Sequence, residues 1–408
     1  MNQRIWALML SLLLCVSCLG SARAEKLEET PADSGSVIEV SLQTGSSKAK
    51  SNFKKLEKAL KQGKGKKSIT VRIKKPGSYH VHSGGGGAIM LRSHTTLDLN
   101  GSELIRSGRM TNLLQNCTAG GKRCGRGYGV SSDITVMNGT LNGSGGVKRE
   151  VNLVNMGHAS GLRFLNLNFR NCRSHLLELN GCKDCVIEGC TFSGYKGRGK
   201  HEAVQLDLSN GKCGWNGVYA KGHGSDCTPC KNITVSDCTF ERYPSGVGNH
   251  HTVKGHHNSG IHIVNNRFVN SGSGKAPAIW CYAFDKSEVS GNVITGKYQY
   301  GIRVSGGSVQ VQNNTIGSKS KRVSYRAIYV LRAHSNRRGS SSRSAENVTG
   351  GLVDNNTIYS SYKHSSIYIA HSSKLSSVSG NSLHVPGQET LSVEGSATVQ
   401  RLTGNKRL

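Results

Sequence analysis

Short runs of alternating apolar and polar residues recur along most of this chain. Val204 and Leu206 alternate with Gln205 and Asp207, as a strand with one buried face requires. From Ile89 onward one limb repeats: a small-polar pair, a variable residue, then Phe, Ile or Leu. Its copies end at Leu141, Phe192, Phe240, Phe268, Ile294, Ile316, Ile358 and Leu383, with a looser copy at Phe169. With that copy included, the spacings are 28, 23, 48, 28, 26, 22, 42 and 25 residues. Periods in the twenties, with β-branched strands and Asn/Gly turns, predict a solenoid. A leucine-rich repeat would need a Leu framework that is absent. An all-β, right-handed parallel β-helix fits, with one coil per period and equivalent residues stacked about 4.8 Å apart.

A second limb lies between these copies: Leu177-Glu-Leu179, Val204-Gln-Leu206, Val247-Gly-Asn249, Ile279-Trp-Cys281, Ile302-Arg-Val304, Ile328-Tyr-Val330, Ile367-Tyr-Ile369 and Leu391-Ser-Val393. Its first and third positions point inward. The middle positions form an outward stripe, Glu178, Gln205, Gly248, Trp280, Arg303, Tyr329 and Tyr368. One pleat on, a second stripe reads Asn180, Asp207, His250, Tyr282 and Ser305. Together they predict one exposed face. The longest spacings mark insertions at 208–230 and about 334–346, with a shorter one at 251–258. All leave the same corner, where loops would wall a groove.

Before the repeats, 25–50 reads as polar and loosely ordered. Residues 51–62 read as an amphipathic helix capped by Ser51, with Phe53, Leu56 and Leu60 on one face, followed by a strand over 68–73. Such a helix would cover the open end of the coil stack. The expected organisation is a signal peptide over 1–24, an N-terminal segment with its capping helix over 25–67, and the β-helix over 68–408.

Charge and cysteine add the setting. Arg4, the apolar run Ile5 to Leu19 and Ala22-Arg23-Ala24 predict a cleaved signal, hence a secreted or periplasmic chain with no membrane span once mature. Removing 24 residues from 408 leaves 384, and losing Arg4 and Arg23 lowers the net charge from +29 to +27. Such a field draws polyanions. For an exported protein, anionic polysaccharide comes first. Nucleic acid is not expected, since no binding signature is present and only 6% of residues are aromatic. A monomer is expected. Export favours disulfides over zinc for Cys182, Cys185, Cys213, Cys227 and Cys230. Cys190 and Cys238 hold equivalent positions and should stack as small buried residues.

With this pattern in place, the chain resembles the pectin-lyase-like superfamily of right-handed parallel β-helix proteins over roughly 68–408. The residues carrying the likeness include Pro76-Gly-Ser-Tyr79 and the run Ile89 to Gly101. His201-Glu-Ala-Val-Gln-Leu-Asp207 with Gly246-Val-Gly-Asn-His250 is similar to a subgroup of secreted bacterial β-helix proteins. The resemblance implies the fold and a choice among uronate lyases, epimerases, glycosidases and non-catalytic adhesins.

The stripes supply candidates for that choice. Asp207 beside His250 would fix the imidazole and raise its basicity, making His250 the base. Tyr282 would be the acid, and Arg303 with Gln205 would hold a substrate carboxylate. His201 and Glu202 stand at the rim. Glu178, Glu202 and Asp207 gather three carboxylates that would serve hydrolysis, hold Ca²⁺, or pair with Lys200, Arg198 or Arg303. Ca²⁺ is thus the first metal to consider and Zn²⁺ the less favoured one. The plainer reading is a polar ladder that satisfies itself. Asn180, Trp280, Tyr329, Trp215 and Arg332 are binding candidates, and His251 and Lys254 would touch anionic sugar from the loop at 251–258. The expected activity is β-elimination on a uronate-containing polysaccharide, with hydrolysis or plain binding as alternatives.

Overall fold

In the computed structural model, the described residues are 35–63, 68–116, 126–143, 151–209, 226–249, 251–269, 274–336, 343–385 and 390–408. The expected signal segment lies outside them. Three ladders of parallel strands run the length of the molecule, and the chain winds through them once per coil as a right-handed parallel β-helix. Each coil has the two limbs expected from the repeats, plus a third strand between them. Lys183–Glu188, for example, pairs with Lys231–Ser236, which pairs with Asn258–Val264.

The corner before the repeated apolar residue explains the small-polar pair. Its first member adopts a left-handed backbone: φ is 56° at Asn265, 65° at Gly291, 57° at Asn313 and 56° at Asn355. Asn and Gly are the residues that accept this conformation at low cost. At Gly291 a Cβ would lie 2.3 Å from Asn265 Oδ1, so a side chain there would push the Asn265 carboxamide aside.

The second member points inward and stacks. Asn266, Asn292, Asn314, Asn356 and Asn381 are fully buried. Each carboxamide oxygen accepts the backbone N–H one coil before, as in Asn266 N to Asn292 Oδ1 at 2.9 Å and Asn292 N to Asn314 Oδ1 at 3.0 Å. Each carboxamide nitrogen donates to the next carboxamide oxygen, at 3.0 Å in both of those steps. The column continues through Asn356 and Asn381 to Asn405. Toward the N-terminus it ends in sulfur. Cys238 N donates to Asn266 Oδ1 at 2.9 Å, and Cys190 N reaches Cys238 Sγ at 3.4 Å. The expected stacking of the two cysteines is therefore present.

The fourth position fills the core. Phe169, Phe192, Phe240 and Phe268 lie face to face, with centroids 4.8, 4.9 and 4.7 Å apart. Ile294, Ile316, Ile358 and Leu383 continue the column.

Two expectations for the N-terminal part change. Residues 36–50 are ordered: Ser36–Val40 pairs in parallel with Ile69–Ile73 and forms the first rung of a ladder. The helix spans Ala49–Leu60, so Ser51 lies inside it, and Lys48 occupies the cap position without a side-chain cap bond. Its apolar face is as expected, with Leu56 and Leu60 fully buried and Phe53 packed beside them. Buried Asn52 ties the helix to its neighbours, donating to Gln43 O and His80 O. The cysteines differ too. Cys172, Cys182, Cys185, Cys190, Cys230, Cys238 and Cys281 are buried thiols, not disulfides. Cys230 donates to Asp207 O at 3.3 Å, and burial holds its pKa well above the usual thiol range. A core position filled by a small apolar side chain needs no cross-link to explain it. Cys213 lies outside the described residues.

Asn292→Ala should cost about 2–4 kcal/mol, because Asn266 loses the acceptor for both its backbone and side-chain N–H groups. Asn405→Ala, at the half-buried end of the column, should cost less. Denaturant titrations of the two variants would show the ordering. Phe240→Ala removes the middle of a four-ring stack and should cost about 3–5 kcal/mol by the same measurement.

Candidate functional site

The outer face of the second limb's ladder, which runs through Leu177–Asn180 and Glu202–Asp207, carries the candidate residues in the expected register. Glu178 lies beside Gln205, Gln205 beside Gly248, Gly248 beside Trp280, Trp280 beside Arg303, Arg303 beside Tyr329 and Tyr329 beside Tyr368. The second stripe aligns Asn180 with Asp207 and Tyr282 with Ser305. The inserted segments leave at the corner that follows this ladder. One is an antiparallel hairpin, Ala333–Asn336 with Arg343–Glu346.

The face is not uniformly open, which corrects the expectation of an exposed polar row. Glu178, Asn180, Gln205 and Asp207 are each 0% exposed, and Glu202 is 2% exposed. They leave the sheet on its outer side but pack into one another. Glu178 accepts from the side-chain amides of Asn152, of Asn155 at 3.3 Å and of Asn180 at 3.0 Å. Several donors on one carboxylate are what a buried charge requires. Gln205 donates to Asp207 Oδ2 at 2.5 Å. Part of the self-satisfying polar ladder is thus real. Asn152 and Asn155 belong to it although the sequence reading passed over them. The signal was available, since Val154-Asn-Met156 has the same apolar-polar-apolar form one coil earlier.

Beside this layer His175, 4% exposed, donates from Nδ1 to Glu202 O at 2.8 Å, and Glu202 Oε2 lies 3.8 Å from the same nitrogen. His201 is at the rim as expected, its Nδ1 3.3 Å from His175 Nε2. A carbonyl only accepts, so a neutral His175 carries its hydrogen on Nδ1 and offers Nε2 to His201. Among the described residues, no three His, Cys, Asp or Glu side chains converge to hold a metal ion. Glu178 and Asp207 thus meet side-chain amides, and Glu202 meets an imidazole.

Further along the axis the face opens and changes character. The Arg303 guanidinium lies 4.7 Å from the Trp280 ring centre and 5.8 Å from that of Tyr300, and its Nε donates to Ser305 Oγ at 3.1 Å. Burial pushes its pKa down from the ordinary arginine value. Gln205 and Arg303 are three coils apart, about 14 Å at the spacing of paired strands, so they do not grip one carboxylate together. Trp280 and Tyr282 are half-buried with rings 5.5 Å apart. The Tyr282 hydroxyl donates to His334 O at the base of the hairpin. Tyr329 is half-buried and Arg332 exposed. Asn249 brackets the Tyr282 backbone, accepting from its N–H and donating to its carbonyl. His250 and Trp215 lie outside the described residues. Lys254 is in a turn closed by a bridge between Val253 and His256, and His251 lies two residues before that bridge.

His257 fastens the hairpin. Its Nδ1 is 2.9 Å from Asp285 Oδ2 and its Nε2 is 3.4 Å from Glu346 Oε2. The hydrogen bond with Asp285, then the two negative charges, raise its pKa above 6.5 despite burial. A raised pKa means the charged ring contributes stability that is complete below the ordinary imidazole range and is lost as pH rises through the folded value. His257→Ala should therefore destabilise the protein more in acid-to-neutral buffer than in alkaline buffer. Melting curves of both proteins across that range would show a converging difference.

Comparison with known proteins bears on the fold. The chain matches the right-handed β-helix region family over residues 152–336. No curated protein sequence matches it. Among solved structures it is similar to the surface adhesin PfbA of Streptococcus pneumoniae, at 15% identity over 87% of each chain with a TM-score of 0.58. It is similar to an exopolygalacturonase of Thermotoga maritima, at 12% identity over 87% of each chain with a TM-score of 0.58. The A-module of the mannuronan C-5 epimerase AlgE6 of Azotobacter vinelandii is 14% identical over 86% of this chain and 95% of its own, with a TM-score of 0.52. With its three ladders and its asparagine column, the chain has a right-handed parallel β-helix fold, the fold of the family it matches over residues 152–336.

Proposed function

We propose that this is an exported protein that binds an anionic, uronate-containing polysaccharide and cleaves it by β-elimination. The observation that carries the reading is Arg303, a half-buried guanidinium laid over Trp280, with no carboxylate partner among the described residues. A partly desolvated cation without a counter-charge favours an anionic ligand. The aromatic ring beneath it offers a sugar an apolar face. Among the structural neighbours, an exopolygalacturonase and a mannuronan epimerase are named for acidic polysaccharides.

In this reading Arg303 neutralises the uronate carboxylate, which otherwise makes the adjacent C–H a poor acid. His250, oriented by Asp207, removes the C5 proton. Tyr282, on the same coil as Trp280, protonates the leaving oxygen after releasing its hold on His334 O. His201 acts at the rim, over the buried Glu202. Gln205, too far along the axis to share Arg303's carboxylate, contacts a different sugar. Tyr329, Arg332, Lys254, His251 and Trp215 line the remaining binding surface. The gathered carboxylates of Glu178, Glu202 and Asp207 favour hydrolysis as the second reading. No metal is assigned a role.

Incubation with a panel of uronate polymers separates the readings. Unsaturated-product absorbance with new reducing ends supports elimination, reducing ends alone mean hydrolysis, and retention on the polymer without either means an adhesin. His250→Ala should lower turnover by at least about a hundredfold while the melting temperature is kept. Unchanged turnover would remove His250 from the mechanism.

A further inference from the structure

One coil beyond Arg303 stands a second guanidinium that no reading of the sequence singled out. Arg326 pairs in register with Tyr300. Its guanidinium lies 4.1 Å from the Tyr368 ring centre, 5.0 Å from that of Tyr329 and 5.9 Å from that of Tyr362. These three rings come from two successive coils and the turn between them. Arg326, Tyr329, Tyr362 and Tyr368 are all partly open to solvent. The Arg326 Nε donates to Ser365 O at 3.3 Å. Its two terminal nitrogens, with four N–H donors, form none of the ion pairs found among the described residues. Glu394, two coils on, attracts Arg326 at a distance without forming an ion pair with it, and its oxygens accept from the Tyr368 hydroxyl and from Ser392 Oγ. Those hydrogen bonds hold its carboxyl below the usual range.

We infer that Arg326, cradled by Tyr329, Tyr362 and Tyr368, is a distal subsite that binds the carboxylate of an acidic sugar. The planar guanidinium presents a fork of donors that fits a carboxylate in two-point fashion, and the tyrosines hold the fork flat. Their exposed rings pack the sugar ring beside it. The choice of a carboxylated sugar rests on the reading proposed above for Arg303. Arg326 is two coils from Trp280 and Tyr282, roughly 10 Å along the axis, so it grips the polymer away from the reacting bond. It is a positioning residue, and it sets a minimum length for tight binding.

The test is calorimetric titration of the full chain with polygalacturonate and with alginate, each against its carboxyl-reduced form. Wild-type protein should bind at least one acidic polymer and lose most of that affinity for the reduced polymer. Arg326→Ala should weaken binding of the acidic polymer roughly ten- to a hundredfold. Arg326→Lys should fall between, since it keeps the charge but loses the fork and the stacking. In turnover assays the loss should appear in KM, with kcat kept. If Arg326→Ala does not fold, Tyr362→Ala at the edge of the cradle takes its place and should weaken binding of the acidic polymer. Equal affinity of wild type and variant, equal affinity for acidic and reduced polymers, or no binding to either acidic polymer overturns the subsite. Arg326-dependent binding without unsaturated product would leave the subsite standing and remove elimination. Product formed with an unchanged KM in Arg326→Ala would do the reverse.

Discussion

Everything in this molecule depends on one coil lying in register on the next. Parallel pairing gives the spacing, but pairing alone permits a slip, and a slip would turn core residues outward. The inward-facing asparagines remove that freedom. Each carboxamide bonds the backbone of one neighbouring coil and the side chain of the other. A displaced strand would bury several unmatched donors at once. The stacked phenylalanines reinforce the same alignment by shape.

That register also places the functional candidates, and it divides them. On the coils from Val154–Gly157 to Glu202–Asp207 the outer face is a closed layer of acids, amides and imidazoles. From Ile279–Ser290 to Ile367–Ile369 it is an open comb of aromatics and guanidinium groups. One sets charged groups in a dry setting and the other presents flat rings and guanidinium groups to solvent. The two chemistries are sorted along the axis rather than mixed on every coil.

The repeat, the ladders and the face carrying the candidates were legible because each rests on a local pattern: an αL-tolerant residue, an amide, an apolar anchor. The degree of burial was not legible. Alternation says which side of the sheet Glu178 and Asp207 leave from, and nothing about what lies against that side. The partners missed were those outside the apolar-polar-apolar triplets. Tyr300, Arg326 and His175 each sit two residues ahead of their triplets. For Cys230, position outweighs export: its thiol fills a core site next to Asp207 O.

The asparagine column has a consequence for how such a chain changes over time. Between Asn266 and Asn405 every coil presents the same bond pattern to the coil above and the coil below. Those coils are interchangeable parts: one copied or excised whole would leave its neighbours facing the contacts they had before. The coils at Cys190 and Cys238 break the pattern with sulfur, and Asn266 already meets that seam by accepting from Cys238 N. Growth and shrinkage of the solenoid are therefore easiest between Asn266 and Asn405, where each coil gained or lost adds or removes one rung of the open aromatic face.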